Sequence, residues 1–144
     1  MHRWRCPWSS EETPDRRRLG RYGELVAASW LRARGMKVLR RNFRWGRSGE
    51  LDLVCRDGDT LVFVEVKSLS TERFGAPSQH VDVRKRRMLR CGAVKWMSLL
   101  GWRVSFRFDV VEVTLAGGKR PQVTYCPHAF SLREGDVSRS SEPR

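Results

Sequence analysis

A single mixed α/β domain, with one β-sheet and helices packed against it, is the fold that this sequence predicts. Three observations predict it. The chain has 144 residues, enough for one domain with a hydrophobic core. Its apolar residues recur first with a helical period, then as strand-like alternation and short runs, then with a helical period again. The hydrophobic fraction of 40% suits a globular chain and is too high for a wholly disordered one.

The elements follow in chain order. Residues 1–18 mix Arg, Ser, Glu and Pro without periodicity and read as a disordered basic arm. From Leu19 to about Arg34, Tyr22, Leu25, Val26, Trp30 and Ala33 recur at helical spacing, and Gly35 ends the helix as a C′ residue does. Lys37 to Trp45 alternates, with Leu39, Phe43 and Trp45 on one face and Arg40, Asn42 and Arg44 on the other, which predicts a strand. Glu50–Arg56 and Leu61–Ser68 are the next two strands, joined by a tight hairpin at Asp57-Gly58. A loop rich in Ser, Gly and Pro runs from Leu69 to Gln79, and its length suits a flap over substrate. A long helix then extends to about Leu100, followed by a strand over Trp102–Val113 and a short fifth strand at Val123–Cys126. The order is α-β-β-β-α-β-β. The nuclease-like domain is thus bounded at residues 19–128, and 129–144 read as a flexible tail.

Charge narrows the function. Lys and Arg total 29 against 16 for Asp and Glu, a formal net charge of +13. A compact domain this basic repels itself unless polyanions neutralise it, and nucleic acid is the partner that phosphate neutralisation favours. No run approaches the roughly 20 apolar residues needed to cross a bilayer, and the charged N-terminus has no apolar stretch behind it. The expectation is a cytoplasmic protein without a membrane partner. The cysteines at 6, 55, 91 and 126 and the histidines at 2, 80 and 128 are too scattered for a zinc site.

The chemistry concentrates in the third strand, Leu61-Val62-Phe63-Val64-Glu65-Val66-Lys67. A near-continuous apolar run of this kind belongs to a central strand buried on both faces. An acid and a lysine inside it demand a reason, because an unpaired buried charge costs several kcal/mol. Strand side chains alternate, so Glu65 and Lys67 point to the same face. Asp52, in Gly49-Glu50-Leu51-Asp52-Leu53, sits one hairpin earlier and can face Glu65 at the mouth of the sheet. Two carboxylates held together raise one another's pKa unless a cation joins them. Hard oxygen ligands of this kind suit Mg²⁺ (or Mn²⁺), which takes one or two carboxylates plus substrate phosphate oxygens. The Lys67 ammonium can orient or help deprotonate the attacking water and offset charge at phosphorus.

An Asp, a hairpin and then Glu-x-Lys resembles the PD-(D/E)xK restriction-endonuclease-like superfamily. Gly20-Arg21-Tyr22-Gly23-Glu24, Arg41-Asn42-Phe43-Arg44, Gly49-Glu50-Leu51-Asp52-Leu53, Phe63-Val64-Glu65-Val66-Lys67, Phe74-Gly75 and Arg107-Phe108-Asp109-Val110-Val111 resemble the successive motifs of the YraN-type bacterial family. That family is similar to archaeal Holliday-junction resolvases, and the resemblance spans about residues 19–115. It implies a restriction-endonuclease-like mixed sheet core flanked by helices. It also implies a metal-dependent endonuclease acting on structured or branched DNA, a 5′-phosphate product and a symmetric homodimer. It adds Glu24 of the first helix to Asp52 and Glu65 as a metal ligand. Two features depart from the pattern: no Pro precedes Asp52, and Ser68-Leu69 stand where the family often has Thr-Arg. A fold does not fix function. The alternative is a non-catalytic nucleic-acid-binding module that retains the nuclease fold.

Other residues carry a plain reading beside the functional one. Glu65 and Lys67 can form a structural ion pair, and Asp52 can cap a turn. Glu24 is favoured by a helix dipole regardless of chemistry. Asp109, an acid in an apolar strand, reads as structural and partnered by an arginine. Helical charge runs are usually solvated faces, yet Arg40, Arg41, Arg44 and Arg47 lead up to the acid cluster without an intervening acid. These four, with Lys85 and Arg86, are the expected nucleic-acid contacts. Phe43 and Trp45 can stack on unpaired bases, although inward packing is the favoured reading.

Overall fold

A computed structural model describes residues 5–12, 14–47, 49–71 and 75–132. The elements are α1 (Arg16–Ala33), β1 (Lys37–Trp45), β2 (Gly49–Asp57), β3 (Thr60–Leu69), a 3-10 turn (Pro77–His80), α2 (Val83–Leu99), β4 (Ser105–Thr114) and β5 (Gln122–Phe130). One five-stranded sheet holds the strands in the order β1-β2-β3-β4-β5. Neighbours are antiparallel except β3 and β4, which run parallel because α2 carries the chain back between them. This single-domain sheet flanked by two helices is consistent with the expected restriction-endonuclease-like fold. No helix among the described residues is long and apolar enough to cross a membrane.

The apolar strands divide their side chains between two cores. Leu53, Cys55, Val62, Val64, Val66, Val111 and Val113 face α1 with Val26, Ala27 and Leu31. Val54, Leu61, Phe63, Phe108 and Val110 face α2 with Leu89, Ala93 and Met97. Phe63 and Phe108 are essentially sealed from solvent, and burying each such ring contributes about 1.5–3 kcal/mol. The hairpin between β2 and β3 closes through Gly58, whose φ of +58° is the left-handed conformation that a two-residue turn requires.

Three sequence expectations change. The arm over residues 1–18 is not all free of structure. Cys6 and Trp8 are buried in the α1 core, and Trp8 packs edge-on against Tyr22 at 5.6 Å. The Cys6 amide donates to Lys119 O at 3.3 Å and the Gly118 amide to Trp8 O at 3.1 Å. Single apolar residues among charges give no period, so nothing in the local pattern announces this. Residues 1–4 lie outside the described residues. At the other end, β5 runs on through Phe130, which stacks on Phe108 at 4.8 Å. Arg86 and Arg90 lie over the Phe130 ring, and Arg90 Nε donates to Ser131 O. The expected tail boundary therefore moves beyond 132, and Arg133–Arg144 lie outside the described residues.

The third change is the phase of α1. Leu25 and Ala33, read as inward, are exposed, while Gly23, Val26, Ala27, Ala28 and Leu31 are buried. The cause is Gly23. A Cβ there would lie 1.8 Å from Ser68 Oγ and 2.8 Å from Ser68 Cβ, so the helix lies on β3 along its smallest residue. Gly23→Ala will therefore destabilise the fold by about 1–3 kcal/mol through overpacking, despite a helix-propensity gain near 1 kcal/mol. Adding Ser68→Gly should recover most of the loss in urea unfolding. An unchanged midpoint in the single variant would refute the close contact.

β1 carries the remaining irregularity. Its pairing with β2 shifts between Val38 and Arg40, which leaves Leu39 as a bulged, exposed residue rather than a partner of Phe43. Phe43 and Trp45 do pack inward, Phe43 against Trp45 at 5.7 Å and against Trp96 at 5.4 Å.

Candidate active site

Asp52 and Glu65 come from β2 and β3 just where those strands part. The last ladder pair is Leu53 with Val64, and beyond it the Val66 amide donates to Asp52 Oδ2 at 2.9 Å. A side chain thus takes over the amide that a continuing ladder would have bonded. Asp52 is 7% exposed and Glu65 6%. On the parallel side, Glu65 is level with Val110 and Lys67 with Glu112. Because level neighbours share a face, Asp52, Glu65, Lys67 and Glu112 form a row on the side that α2 covers.

Lys85, in the first turn of α2, reaches down onto this row. Its Nζ lies 3.5 Å from Glu65 Oε1. Asp82 starts α2 by accepting the Lys85 amide at 2.8 Å, which aims the first turn at the sheet. A cleft of about 530 Å³ opens here, walled by Arg16, Gly20, Asp52, Glu65, Lys67 and Lys85. A recess of about 180 Å³ shares the Glu65, Lys67 and Lys85 walls and is closed by His80 and Asp82. Another cavity, about 470 Å³ beside Arg17, Arg18 and Arg21, contains only one acid, the α1 cap Asp15, and has no carboxylate pair.

The electrostatics match a site that wants a cation. Burial, and then the Asp52 charge, push the Glu65 carboxyl well above the usual carboxylate range. Burial also raises Asp52, against the lowering effect of Lys85 and the Val66 amide. The two acids hydrogen-bond each other, with Glu65 carrying the proton. Burial pulls the Lys85 ammonium down, but Glu65 and Asp52 outweigh it and raise it. Glu24 approaches from α1. Burial, then Asp52 and Glu50, lift its carboxyl to about 7, while Asn42 donates a hydrogen bond to it.

A divalent cation fits this donor set. Glu65 Oε2 is buried with no hydrogen-bond partner, an orphaned hard oxygen beside a second carboxylate. Mg²⁺ asks for one or two carboxylates and keeps its other positions for water and phosphate. Asp52 and Glu65 supply them. Among the described residues no three His, Cys, Asp or Glu side chains converge on one ion position, so Glu24 stands outside that pair, within electrostatic range of Asp52.

The other expected residues separate. Arg40, Arg41, Arg44 and Arg47 are all exposed, and Arg44 makes a loose ion pair with Glu50 at 3.7 Å. Arg86 is engaged in the fold: Nε donates to Val81 O and a terminal nitrogen to Ser78 O, with the ring of Phe130 beneath. Asp109 is wholly buried and held by Arg107, as its plain reading expects. The loop expected to act as a flap begins Leu69-Ser70-Thr71, and its far end folds into the 3-10 turn. Phe74 lies outside the described residues.

Sequence reasoning placed Lys85 among phosphate contacts but not against Glu65, since helical spacing gives no distance to a strand. It did not single out the buried pair His80–Glu112, in which Nδ1 of His80 bonds Glu112 Oε2. The signal was there: Glu112, like Glu65, is an acid inside an apolar strand.

Comparison with known proteins gives consistent relatives. The profile described as "Uncharacterised protein family UPF0102" matches residues 23–113. A UPF0102 protein of Anaeromyxobacter dehalogenans is 47% identical over 116 residues, covering 80% of this chain and 85% of the relative. One from Rhodococcus jostii is 42% identical, covering 78% and 95%. One from Beutenbergia cavernae is 48% identical, covering 71% and 88%.

Proposed function

Because the chain belongs to the UPF0102 family, which is of the PD-(D/E)xK nuclease-like type, we propose that it is a Mg²⁺-dependent endonuclease hydrolysing phosphodiesters in structured or branched DNA. The observation that carries this reading is the buried Asp52–Glu65 pair with an orphaned carboxylate oxygen, beside Lys67 in an open cleft. Asp52 and Glu65 would hold the cation, with Glu24 as the additional acid that the family resemblance suggests. When bound, the cation supplies charge neutralisation at the scissile phosphate and a more acidic water. Lys67 orients the attacking water and offsets charge on the phosphoryl oxygens. Lys85 neutralises the acids from the other wall of the cleft. Arg40, Arg41, Arg44 and Arg47 neutralise flanking phosphates.

The test is direct. Purified protein is incubated with end-labelled linear, single-stranded and four-way DNA, with Mg²⁺ or Mn²⁺ and with chelator. Cleavage of the branched substrate that chelator stops, with a 5′-phosphate at the nick, is the expected result. Salt-sensitive binding with no turnover on any substrate would leave a non-catalytic binding module instead.

A thermodynamic prediction follows from the acids. Asp52 and Glu65 are raised in the fold, and Glu24 reaches about 7. The unfolded chain therefore loses these protons first as pH rises past 4.5, so the folded state binds more protons and stability falls. A cation reverses this, because it binds only the ionised pair. Thermal melts in chelator should decline from pH 5 to pH 8. Added Mg²⁺ should raise the midpoint more at pH 8 than at pH 5, by about 2.7 kcal/mol at a hundredfold excess over Kd. Glu65→Gln should melt higher than wild type in chelator at pH 8 and lose the Mg²⁺ response. An identical Mg²⁺ response in that variant would exclude Glu65 as a ligand.

A further inference from the structure

We propose that His80, oriented by Glu112, is the proton donor to the leaving 3′-oxygen in the cleavage reaction, an inference that rests on the endonuclease reading above. The reaction needs such a group. Water adds its oxygen to phosphorus, the P–O3′ bond breaks, and its electron pair leaves on O3′, which must gain a proton to become the 3′-hydroxyl. Lys67 and the acids serve the entering side and the phosphoryl oxygens, and none of them is assigned to the departing oxygen.

The geometry points to His80. Glu112 is the one row member that faces neither Asp52 nor Glu65: it lies on β4, level with Lys67, on the face that α2 covers. It is 6% exposed. A buried carboxylate level with a lysine could have bonded that lysine, yet its partner is Nδ1 of His80, from the turn that leads into α2. The His80 side chain is itself only 11% exposed. A carboxylate at Nδ1 takes the proton of that nitrogen and fixes the plane of the ring, so proton exchange with substrate falls to Nε2. The ring borders the recess whose other walls include Glu65, Lys67 and Lys85. The imidazole is thereby set on the same pocket as the acid that would hold the cation, but on the opposite side from Asp52 and Glu24.

The chemical balance is simple. Imidazolium gives its Nε2 proton to O3′ and becomes neutral imidazole with its Nδ1 proton still on Glu112. It regains a proton from solvent after product leaves. Glu112 does not meet substrate and acts as a positioning residue for the ring.

The experiment changes the leaving group. The cleavage site is first mapped with wild type on oxygen DNA. A second substrate then carries sulfur in place of the bridging 3′-oxygen at that site, because a thiolate departs without a proton. Wild type, His80→Gln, Glu112→Gln and Lys67→Ala are compared in single turnover, with folding checked by thermal melts. His80→Gln should lose about 10²–10⁴-fold on the oxygen substrate and come within about tenfold of wild type on the sulfur substrate. Glu112→Gln should show the same pattern with a smaller loss. Lys67→Ala should be slow on both. A tether that merely holds the turn would slow both substrates alike, and that result, or full activity of His80→Gln on oxygen, overturns the inference while leaving the nuclease reading intact. Wild type that cleaves neither substrate overturns the nuclease reading and this inference with it.

Discussion

Lys67→Ala and Glu65→Ala will each abolish Mg²⁺-dependent cleavage while leaving DNA binding in chelator within a few-fold of wild type. The loss for Lys67→Ala should reach at least about 10²–10³-fold, the cost of removing one preorganised positive group from a transition state. Lys67 is half-buried, lines both the cleft and the recess, and is level with Glu112 rather than bonded to Glu65. Removing it therefore empties a position beside the reacting phosphate without opening the core. Glu65→Ala takes away a proposed ligand and should cost more. Binding survives because the exposed arginines of β1 lie outside the acid pair. Filter binding and single-turnover cleavage on one DNA separate the two effects. Cleavage at the wild-type rate by both variants would eliminate the mechanism.

Asp109→Ala will be the most destabilising single substitution proposed here, at about 3–5 kcal/mol. Asp109 is fully buried on β4, yet every side of its carboxylate is engaged. Arg107 Nε donates to both oxygens at 3.1 and 3.2 Å, the Tyr125 hydroxyl donates to Oδ2, and the His128 amide donates to Oδ1 at 3.0 Å. Arg107 also bridges to Asp57 at 2.9 Å. The acid thus ties β4 to β5 at the point where their ladder shifts register. Loss of the carboxylate strands an arginine and a backbone amide together. Asp109 faces α1, away from the cleft, so the Mg²⁺ response of the surviving folded fraction should be unchanged. A stability loss below about 1 kcal/mol in urea unfolding would show that the network is dispensable.

Much of the site was legible because charges inside an apolar strand are costly enough to need a reason. Glu65 and Lys67 announced themselves by being out of place in Leu61–Val66, and the short hairpin tied Asp52 to them. The strands were legible for the same reason that the hydrophobic effect builds them: alternation and apolar runs report which faces are buried. Contacts that depend on distance in space were not. Lys85 looks like its neighbours in a basic helix, and only the fold shows it against Glu65. His80 and Glu112 are far apart in sequence and meet through the β3–α2–β4 crossover. Trp8 and Cys6 sit in a charged, aperiodic segment, and burial of one or two side chains leaves no repeating signature. The phase of α1 slipped because a hydrophobicity pattern rewards Leu25, whereas the sheet rewards the absence of a side chain at Gly23.

That glycine touches more than packing. Gly23 immediately precedes Glu24, and Ser68 immediately follows Lys67, so the tightest junction between helix and sheet links the neighbours of two proposed site residues. The spacing between the α1 acid and the β3 ammonium is thus gauged by one atom-to-atom stop, and not by a flexible linker. Enlarging either side of that stop would spread the jaws of the cleft before it disturbed the floor, where Asp52 and Glu65 stand.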